Sequence, residues 1–529
     1  MDKNASHRSE NEHVGRAAGT VGFYTFLSRV LGLVRDMVFA RYFGAQMAAD
    51  AFFVAFRIPN LLRRLFAEGS LSIAFIPVFT EYLHRKSRED AVEVVRVVLT
   101  LLSTVLTVVT VLGILAAPLI VQVQAWGYAD DPEKFRLTVL LTRITFPYIL
   151  LISLVALFMG ILNTLRHFAA PAAAPIFLNV GIIGALVLFS PSFENPVIAP
   201  AVGVLIGGIL QVALQLPWLF RKGISLLPLW MPRHPAVRQI GILMVPMIFG
   251  TAIYQFNHFV GTLLATFLPE GSVSWLYYAD RLVQFPLGVF AIAVSTAALP
   301  SLSLQATGEN LDEFRATLSY ALRLVVFITL PSMAGLMVLG PLLIRVIFER
   351  GTFTPVDTAM AYQALFYYCT GLWAFSATRV LVSGFVALKD TKTPVKAAAV
   401  AAAANGALSV LLMGPLKHGG LALALSLAST IQVAILAFLM GGKTRGWGVR
   451  RILRSSLISL TASSVMAAFL YCVCRFFWIP GPRTGTVELV AGICILVGAG
   501  ALLYFAVCLA MRSEEMKAVT AVLKRRSAR

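Results

Sequence analysis

With 529 residues, 58% of them hydrophobic and only 13% charged, the chain has a mean hydropathy of +0.81. That excludes a water-soluble globular protein, which carries about 25% charged residues, and fits a polytopic membrane protein whose outward faces meet lipid. The charge balance is strongly basic, 44 Lys+Arg against 25 Asp+Glu for a net +19, so the placement of those charges decides between nucleic acid and membrane as the partner.

Residues 1–16 read as a polar cytoplasmic tail and not as a cleaved signal, because the first apolar stretch already holds Arg29 and Arg35. A membrane crossing needs about 20 apolar residues. Reading from break to break predicts about fourteen such helices: 17–43, 48–82 (interrupted near Pro59 and Gly69), 91–121, 135–163, 169–190, 197–220, 238–267, 273–304, 313–347, 357–388, 394–414, 419–441, 451–477 and 486–511. The predicted fold is an all-α polytopic membrane protein. Its lobes are an N-lobe over 17–222 and a C-lobe over 223–442, six helices each, followed by a helix pair over 443–512 and a basic tail over 513–529. The cysteines 369, 472, 474, 494 and 508 fall in apolar stretches without C-x-x-C or Cys/His ligand spacing, so they read as packing residues, and no metal site is expected.

Alternate loops should face the cytoplasm, with both termini inside. About 26 Lys and Arg fall in the predicted inside segments and about six outside, the latter including Lys134 beside the acidic stretch Asp130, Asp131 and Glu133. Most of the +19 is therefore topology and attraction to anionic lipid, and nucleic acid is the weaker reading.

An internal repeat organises the helices. FPYILLISLVALFMGILNTLRHFAAPAAAPIFLN around Gly160 parallels LFYYCTGLWAFSATRVLVSGFVALKDTKTPVKAA around Gly384, and IAFIPVF with Pro77 parallels TAALPSL with Pro300, at an offset of about 223. The period spans six helices, an even number, so the halves share one orientation and are related by a pseudo-twofold along the membrane normal.

About a dozen basic residues remain near or within the predicted membrane depth. Each costs about 2.5 to 3.5 kcal/mol at mid-helix if it faces lipid. Arg29 and Asp36 lie seven apart in predicted helix 1, with Arg35 on the flank of the same stripe; Asp50, Arg57 and Arg64 are seven apart in helix 2; and Tyr277, Arg281, Gln284 and Gly288 follow a 4, 3, 4 pattern in helix 8. Three helices from both halves thus carry arginine on one face. Internal ion pairs, Arg29 with Asp36 or Asp280 with Arg281, are one reading, and snorkelling is another for Arg63 and Arg64. Arg96, Arg143 and Arg323 stand alone on apolar helices and read as structural; Arg345 reads as an anchor at the outer edge; Arg379 lies at depth within the repeat. The functional reading is an aqueous cavity with surplus positive charge. Only Asp36, Asp50, Glu68 and Asp280 supply nearby carboxylate, and arginine's planar fork suits phosphate oxygens, so a phosphate-bearing substrate is expected.

The run SRVLGLVRDMVFARYFGAQMAADAFFVAFRIPNLLRRLFAEGSLSIAFIPVF (Ser28 to Phe79) resembles the N-terminal signature of the MurJ/MviN family of lipid II flippases, in the multidrug/oligosaccharidyl-lipid/polysaccharide exporter superfamily. FPYILLISL, GSVSWLYYADRLVQFPLGVF, LPSLS, KTPVK and GPLKHGGL extend the resemblance over about 500 residues. It implies fourteen helices, two six-helix lobes around a V-shaped cavity and a C-terminal pair forming a groove for the lipid tail. It also implies transport of lipid-linked disaccharide-pentapeptide from the cytoplasmic to the outer leaflet of the bacterial inner membrane, by alternating access, for peptidoglycan synthesis. The family's cavity arginines fall on Arg29, Arg35, Arg63 and Arg281, its helix 1 aspartate on Asp36, and its acidic residue at the outer end of helix 2 on Asp50. Asp36, Asp50, Arg57, Arg64, Glu68, Asp280 and Arg379 are expected in supporting or gating roles. The expected partners are lipid II and membrane lipids, with no nucleic acid, for a chain acting as a monomer and not as an enzyme. No cofactor is expected. Relatives that bind sodium use carboxylates on helices 7 and 11, where this chain has Asn257, Asn405 and Ser409, so the resemblance favours membrane potential or another ion over sodium. The rival readings are a flippase for another polyprenyl-linked polysaccharide, a drug or cation antiporter of the superfamily, an enzyme acting on undecaprenyl carriers, and a non-transporting scaffold.

Overall fold

The computed structural model is predominantly helical, with no strand among the described residues, which are 3–62, 71–307, 311–444, 446, 448–478, 480–481 and 484–516; side chains are described for all of these except 3–18, 62, 72–73 and 246–254. Helix is the outcome lipid demands, because a span must satisfy its own backbone amides where no water reaches. The chain forms two compact units, Met1–Gly271 and Ser272–Arg529.

The first unit holds α1 (Lys3–Phe43), α2 (Met47–Leu62), α3 (Ser72–Arg85), α4 (Arg88–Leu115), α5 (Ala117–Gln124), a 3-10 turn at Trp126–Tyr128, α6 (Pro132–Thr145), α7 (Tyr148–Thr164), α8 (Ala169–Phe189), α9 (Ile198–Arg221) and α10 (Pro235–Ala265). The second holds α11 (Ser272–Pro286), a π-helical turn at Leu287–Ala291, α12 (Ile292–Thr307), α13 (Leu311–Phe348), α14 (Pro355–Thr370), α15 (Leu372–Ala387), α16 (Lys392–Leu416), α17 (His418–Thr444), α18 (Val449–Cys472) and α19 (Thr486–Ala510).

Ten helical stretches are long and apolar enough to cross a membrane, eleven if α14 and α15, bent by 43° on either side of Gly371, form one span. The sequence predicts about fourteen. The difference lies in three places: α1 carries Arg29, Arg35, Asp36 and Arg41, α2 and α3 are short, and the described apolar run of α10 ends at Val245. Helix α1 also begins at Lys3, well before the apolar stretch, since no proline or glycine interrupts the chain between Lys3 and Val14.

The repeat has a local geometric signature. Asp131 caps α6 ahead of Pro132 by accepting from the Lys134 amide, and Thr354 caps α14 ahead of Pro355 by accepting from the Asp357 amide. At the other end of the next helix, Arg166 (φ 57°) and Lys389 (φ 59°) take the left-handed conformation. Their neighbours close the same turn, His167 N–H to the Leu162 carbonyl and Asp390 N–H to the Phe385 carbonyl. These are Schellman stops, in which one left-handed residue lets the chain satisfy the last carbonyls of a helix. Each pair is separated by 223 residues (354 − 131, 389 − 166), so the helix pairs α6–α7 and α14–α15 start and stop by the same chemistry.

The spans pack without large polar cores. In the first unit Phe75, Phe79, Val94, Leu157 and Ile161 form a buried cluster from α3, α4 and α7. In the second, Phe327, Met466, Leu470 and Tyr504 join α13, α18 and α19, with the Tyr504 hydroxyl donating to the Phe327 carbonyl at 2.7 Å. Cys369 and Cys508 are buried as expected of packing residues, whereas Cys472 and Cys494 are exposed on the outer faces of α18 and α19, where apolar side chains meet lipid. Helices α8 and α9 touch backbone to backbone. A Cβ added at Gly181 would stand 2.5 Å from the Gly207 Cα, a distance no side chain tolerates, and small residues are the usual means of such close helix approach in membranes. Gly181→Val should therefore separate α8 from α9 and cost about 1–3 kcal/mol or more, read as a lowered melting midpoint of the purified protein; an unchanged midpoint would contradict this packing.

Candidate functional site

The polar residues singled out by cost and spacing take distinct environments. On α1, Arg29 is exposed and makes no hydrogen bond or ion pair among the described residues. One turn on, Gly32 lies against Asn179 of α8, whose amide donates to the Ser28 carbonyl at 3.2 Å and so fixes the backbone just before Arg29. Arg35 donates to the Asp36 carboxylate through Nε at 3.0 Å and Nη2 at 2.7 Å. Asp36 is buried, only 3% exposed. The carboxylate of helix 1 is thus held by its sequence neighbour and not by Arg29, seven residues away, so the reading in which Arg29 and Asp36 neutralise each other does not hold.

Arg57 on α2 is half-buried and donates to the Thr262 hydroxyl of α10. Thr262 in turn donates to the His258 carbonyl at 3.0 Å. Arg57 therefore ties α2 to α10. Arg63, Arg64 and Glu68, which the sequence also singles out, lie outside the described residues.

Asp50 opens α2 and is 1% exposed. It accepts from Lys134 Nζ of α6 at 2.9 Å and from the Gly271 amide at 2.9 Å. Nearby, Glu270 accepts from the Met47 amide at 2.7 Å. Lys134 is itself 5% exposed and lies 4.3 Å from the centre of the Tyr128 ring. Burial, with Asp50 and Glu270 adding negative charge, pushes the Tyr128 phenol well above its ordinary value. The residues around Asp50 thus form a buried ionic clamp that joins α2, α6 and the segment leading out of α10. Lys134 is the residue that sequence reasoning missed. It was counted as a loop cation, and its position three residues into a capped helix carries no sign of burial.

In the second unit Arg281 is exposed on α11 and lies over Tyr277, with its guanidinium carbon 4.8 Å from the ring centre and Nη2 donating to the hydroxyl at 2.5 Å. Asp280 accepts from Gln284 at 3.3 Å. Within the predicted stripe Arg281 is bonded to Tyr277 while Gln284 is bonded to Asp280, and past Pro286 the helix meets the π-helical turn that contains Gly288. Such turns gather at functional positions in helices, and a proline without an amide hydrogen is one cause of them. Arg379 on α15 is exposed, and its carbonyl accepts from Ser295 of α12 at 3.4 Å. Asn405 and Ser409 are buried on α16, while Asn257 is half-buried on α10.

The arginines read as structural mostly have protein partners. Arg96 donates to the Leu227 carbonyl, Arg345 to the carbonyls of Pro480 and Gly481, and Arg323 pairs with Glu514 and Glu515. Arg143 is exposed and has none among the described residues. Partnered arginines fasten segments together; Arg29, like Arg143, is exposed and has no partner among the described residues.

The fold is similar to those of solved transporter structures. An inward-facing multidrug resistance MATE family transporter of the MOP superfamily aligns with a TM-score of 0.67 over 84% of this chain and 95% of its own, at 13% identity, a likeness of fold alone. The solved structure described as lipid II flippase MurJ in an inward closed conformation aligns more fully, with a TM-score of 0.77 over 96% of this chain and 99% of its own at 29% identity. The family model for lipid II flippase MurJ matches residues 39–481. The probable lipid II flippase MurJ of Vibrio cholerae is 40% identical over 79% of this chain and 81% of its own length, and the lipid II flippase MurJ of Burkholderia cenocepacia is 37% identical over 93% and 96%. The chain belongs to the lipid II flippase MurJ family.

The clamp at Asp50 makes a quantitative prediction. Lys134→Met leaves a buried carboxylate without its cation, a change worth about 3–5 kcal/mol, and should lower the melting midpoint. Asp50→Asn together with Lys134→Met should recover much of the loss. A single variant as stable as the parent, or a double variant no better than the single, would contradict the clamp.

Proposed function

We propose that this protein carries lipid II, the undecaprenyl-pyrophosphate-linked disaccharide-pentapeptide, from the cytoplasmic to the outer leaflet of the bacterial inner membrane by alternating access, for cell-wall synthesis. Membership of the family supports the substrate, and the observation that carries the reading is Arg29: an exposed arginine on a membrane helix with no acidic partner among the described residues. Its cost in lipid, about 2.5 to 3.5 kcal/mol, is offset when a pyrophosphate oxygen and water take the place of hydrocarbon.

In this proposal Arg29, Arg35 and Arg281 hold the pyrophosphate and Arg63 assists its arrival from the inner side. Asp36, already bonded to Arg35, competes with the pyrophosphate for that guanidinium, which keeps binding weak enough for release. Tyr277 orients Arg281 through its hydroxyl and ring face. Arg57, Arg64, Glu68, Asp280 and Arg379 support or gate the movement, with Arg57 coupling α2 to α10. The polyprenyl tail stays on the groove of α18 and α19. The chain acts as a monomer, makes and breaks no covalent bond, and keeps both termini in the cytoplasm. The driving force is membrane potential, about 2.3 kcal/mol per charge per 100 mV, or an ion other than sodium, because Asn257, Asn405 and Ser409 offer no carboxylate.

Arg29→Ala or Arg281→Ala should abolish rescue of a flippase-depleted strain at normal membrane levels. Tyr277→Phe, which keeps the ring and removes the hydroxyl, should reduce rescue only in part. Full growth with Arg29→Ala would overturn the assignment.

A further inference from the structure

A second basic site lies apart from these arginines, within the second unit. A cavity of about 1100 Å³ opens between the start of α13, the start of α18 and the residue that follows α19, Met511. Arg315, Arg323, Arg450, Arg451 and Arg454 line it, together with Asp312, and among the described residues Glu514 and Glu515 lie beside it on Arg323. Five arginines against three carboxylates leave a positive surplus.

The charges divide into two sets. Arg315 pairs with Asp312 at 2.7 Å and donates to the Thr444 carbonyl, and Arg323 is taken up by Glu514 and Glu515. These fasten α13 to the chain after α17 and after α19. Arg450, Arg451 and Arg454 are exposed and have no side-chain hydrogen bond or ion pair among the described residues. Their field nevertheless reaches the pocket: the Glu514 carboxyl is held below its ordinary value by Arg323 first, and by Arg451 and Arg454 in addition. Gly448, at the start of α18 and also lining the cavity, offers no side-chain cap, so the first amides of the helix add donors at the same end.

Along α18 the lining changes character. Arg450, Arg451 and Arg454 are followed at helical spacing by Leu457 and Ile458 on the same face. A ligand that filled this surface would present an anion at one end and an apolar chain at the other. We propose that the cavity binds the phosphate of an anionic phospholipid, with Arg450, Arg451 and Arg454 on the headgroup and an acyl chain against Leu457 and Ile458. The site lies on the side that the positive-inside rule assigns to the cytoplasm, where anionic lipid meets juxtamembrane arginine. Occupancy would stabilise the α13–α18 packing.

The full-length protein, purified in uncharged detergent, tests this by its melting midpoint during titration with short-chain phosphatidylglycerol. The midpoint should rise with phosphatidylglycerol and not with phosphatidylcholine or inorganic phosphate at equal concentration. Replacing Arg450, Arg451 and Arg454 together with glutamine should weaken binding about a hundredfold, each arginine contributing about fivefold. Arg85→Gln with Lys86→Gln, exposed basic residues of the other unit, should leave binding unchanged. The proposal fails if the triple variant binds as tightly as the parent, or if the Arg85/Lys86 control loses as much. Inorganic phosphate matching phosphatidylglycerol in the parent, and lost in the triple variant, would assign the site to a soluble anion and overturn the lipid.

Discussion

An arginine placed in a membrane span must be met by water, by a carboxylate or carbonyl, or by a ligand, because hydrocarbon offers its five donors nothing. This protein answers several of its arginines with groups of its own. Arg35 is answered by the adjacent Asp36, Arg57 by a threonine on another helix, Arg96 and Arg345 by backbone carbonyls. Arg29 has no partner among the described residues, and Arg281 is bonded to a tyrosine hydroxyl on its own helix.

The fastened charges also explain how helices with weakly amphipathic faces find one arrangement. Apolar surface has little preference among partners in lipid, so specific contacts set the register. In the first unit the Asp50–Lys134 clamp and the Arg57–Thr262 bond hold α2 against α6 and α10, while the glycines of α8 and α9 permit backbone contact. In the second unit Arg323 and Tyr504 fix the terminal helices on α13. A buried pair such as Asp50 with Lys134 contributes specificity more surely than stability, since the desolvation of two charges offsets most of their attraction.

Much of this was legible in the sequence where a physical rule leaves few choices. The cost of charge in lipid picked out Arg29, Arg35, Arg57 and Arg281, and proline and turn residues at an offset of 223 announced a repeat that the paired stops at Arg166 and Lys389 carry in their backbone angles. What sequence does not encode locally is the identity of a partner far along the chain. Thr262 lies 205 residues from Arg57, and nothing in its surroundings marks it. Lys134 looked like a loop cation because burial is a property of the assembled unit. Asp36 was assigned by seven-residue spacing to the stripe of Arg29, yet a guanidinium one residue away reaches it more easily. Charged and broken helices such as α1 and α2 do not declare themselves by apolarity, so length and composition alone mark ten or eleven spans among the described residues where the sequence reading expects about fourteen.

The central claim is that an unneutralised arginine on α1 carries a lipid-linked pyrophosphate across the membrane. Its most direct test is the leaflet accessibility of lipid II in cells that depend on this protein, measured by labelling from outside. The account predicts that lipid II is labelled when the parent protein is present and stays inaccessible when Arg29→Ala replaces it at the same membrane level. Equal labelling with the two proteins would contradict it.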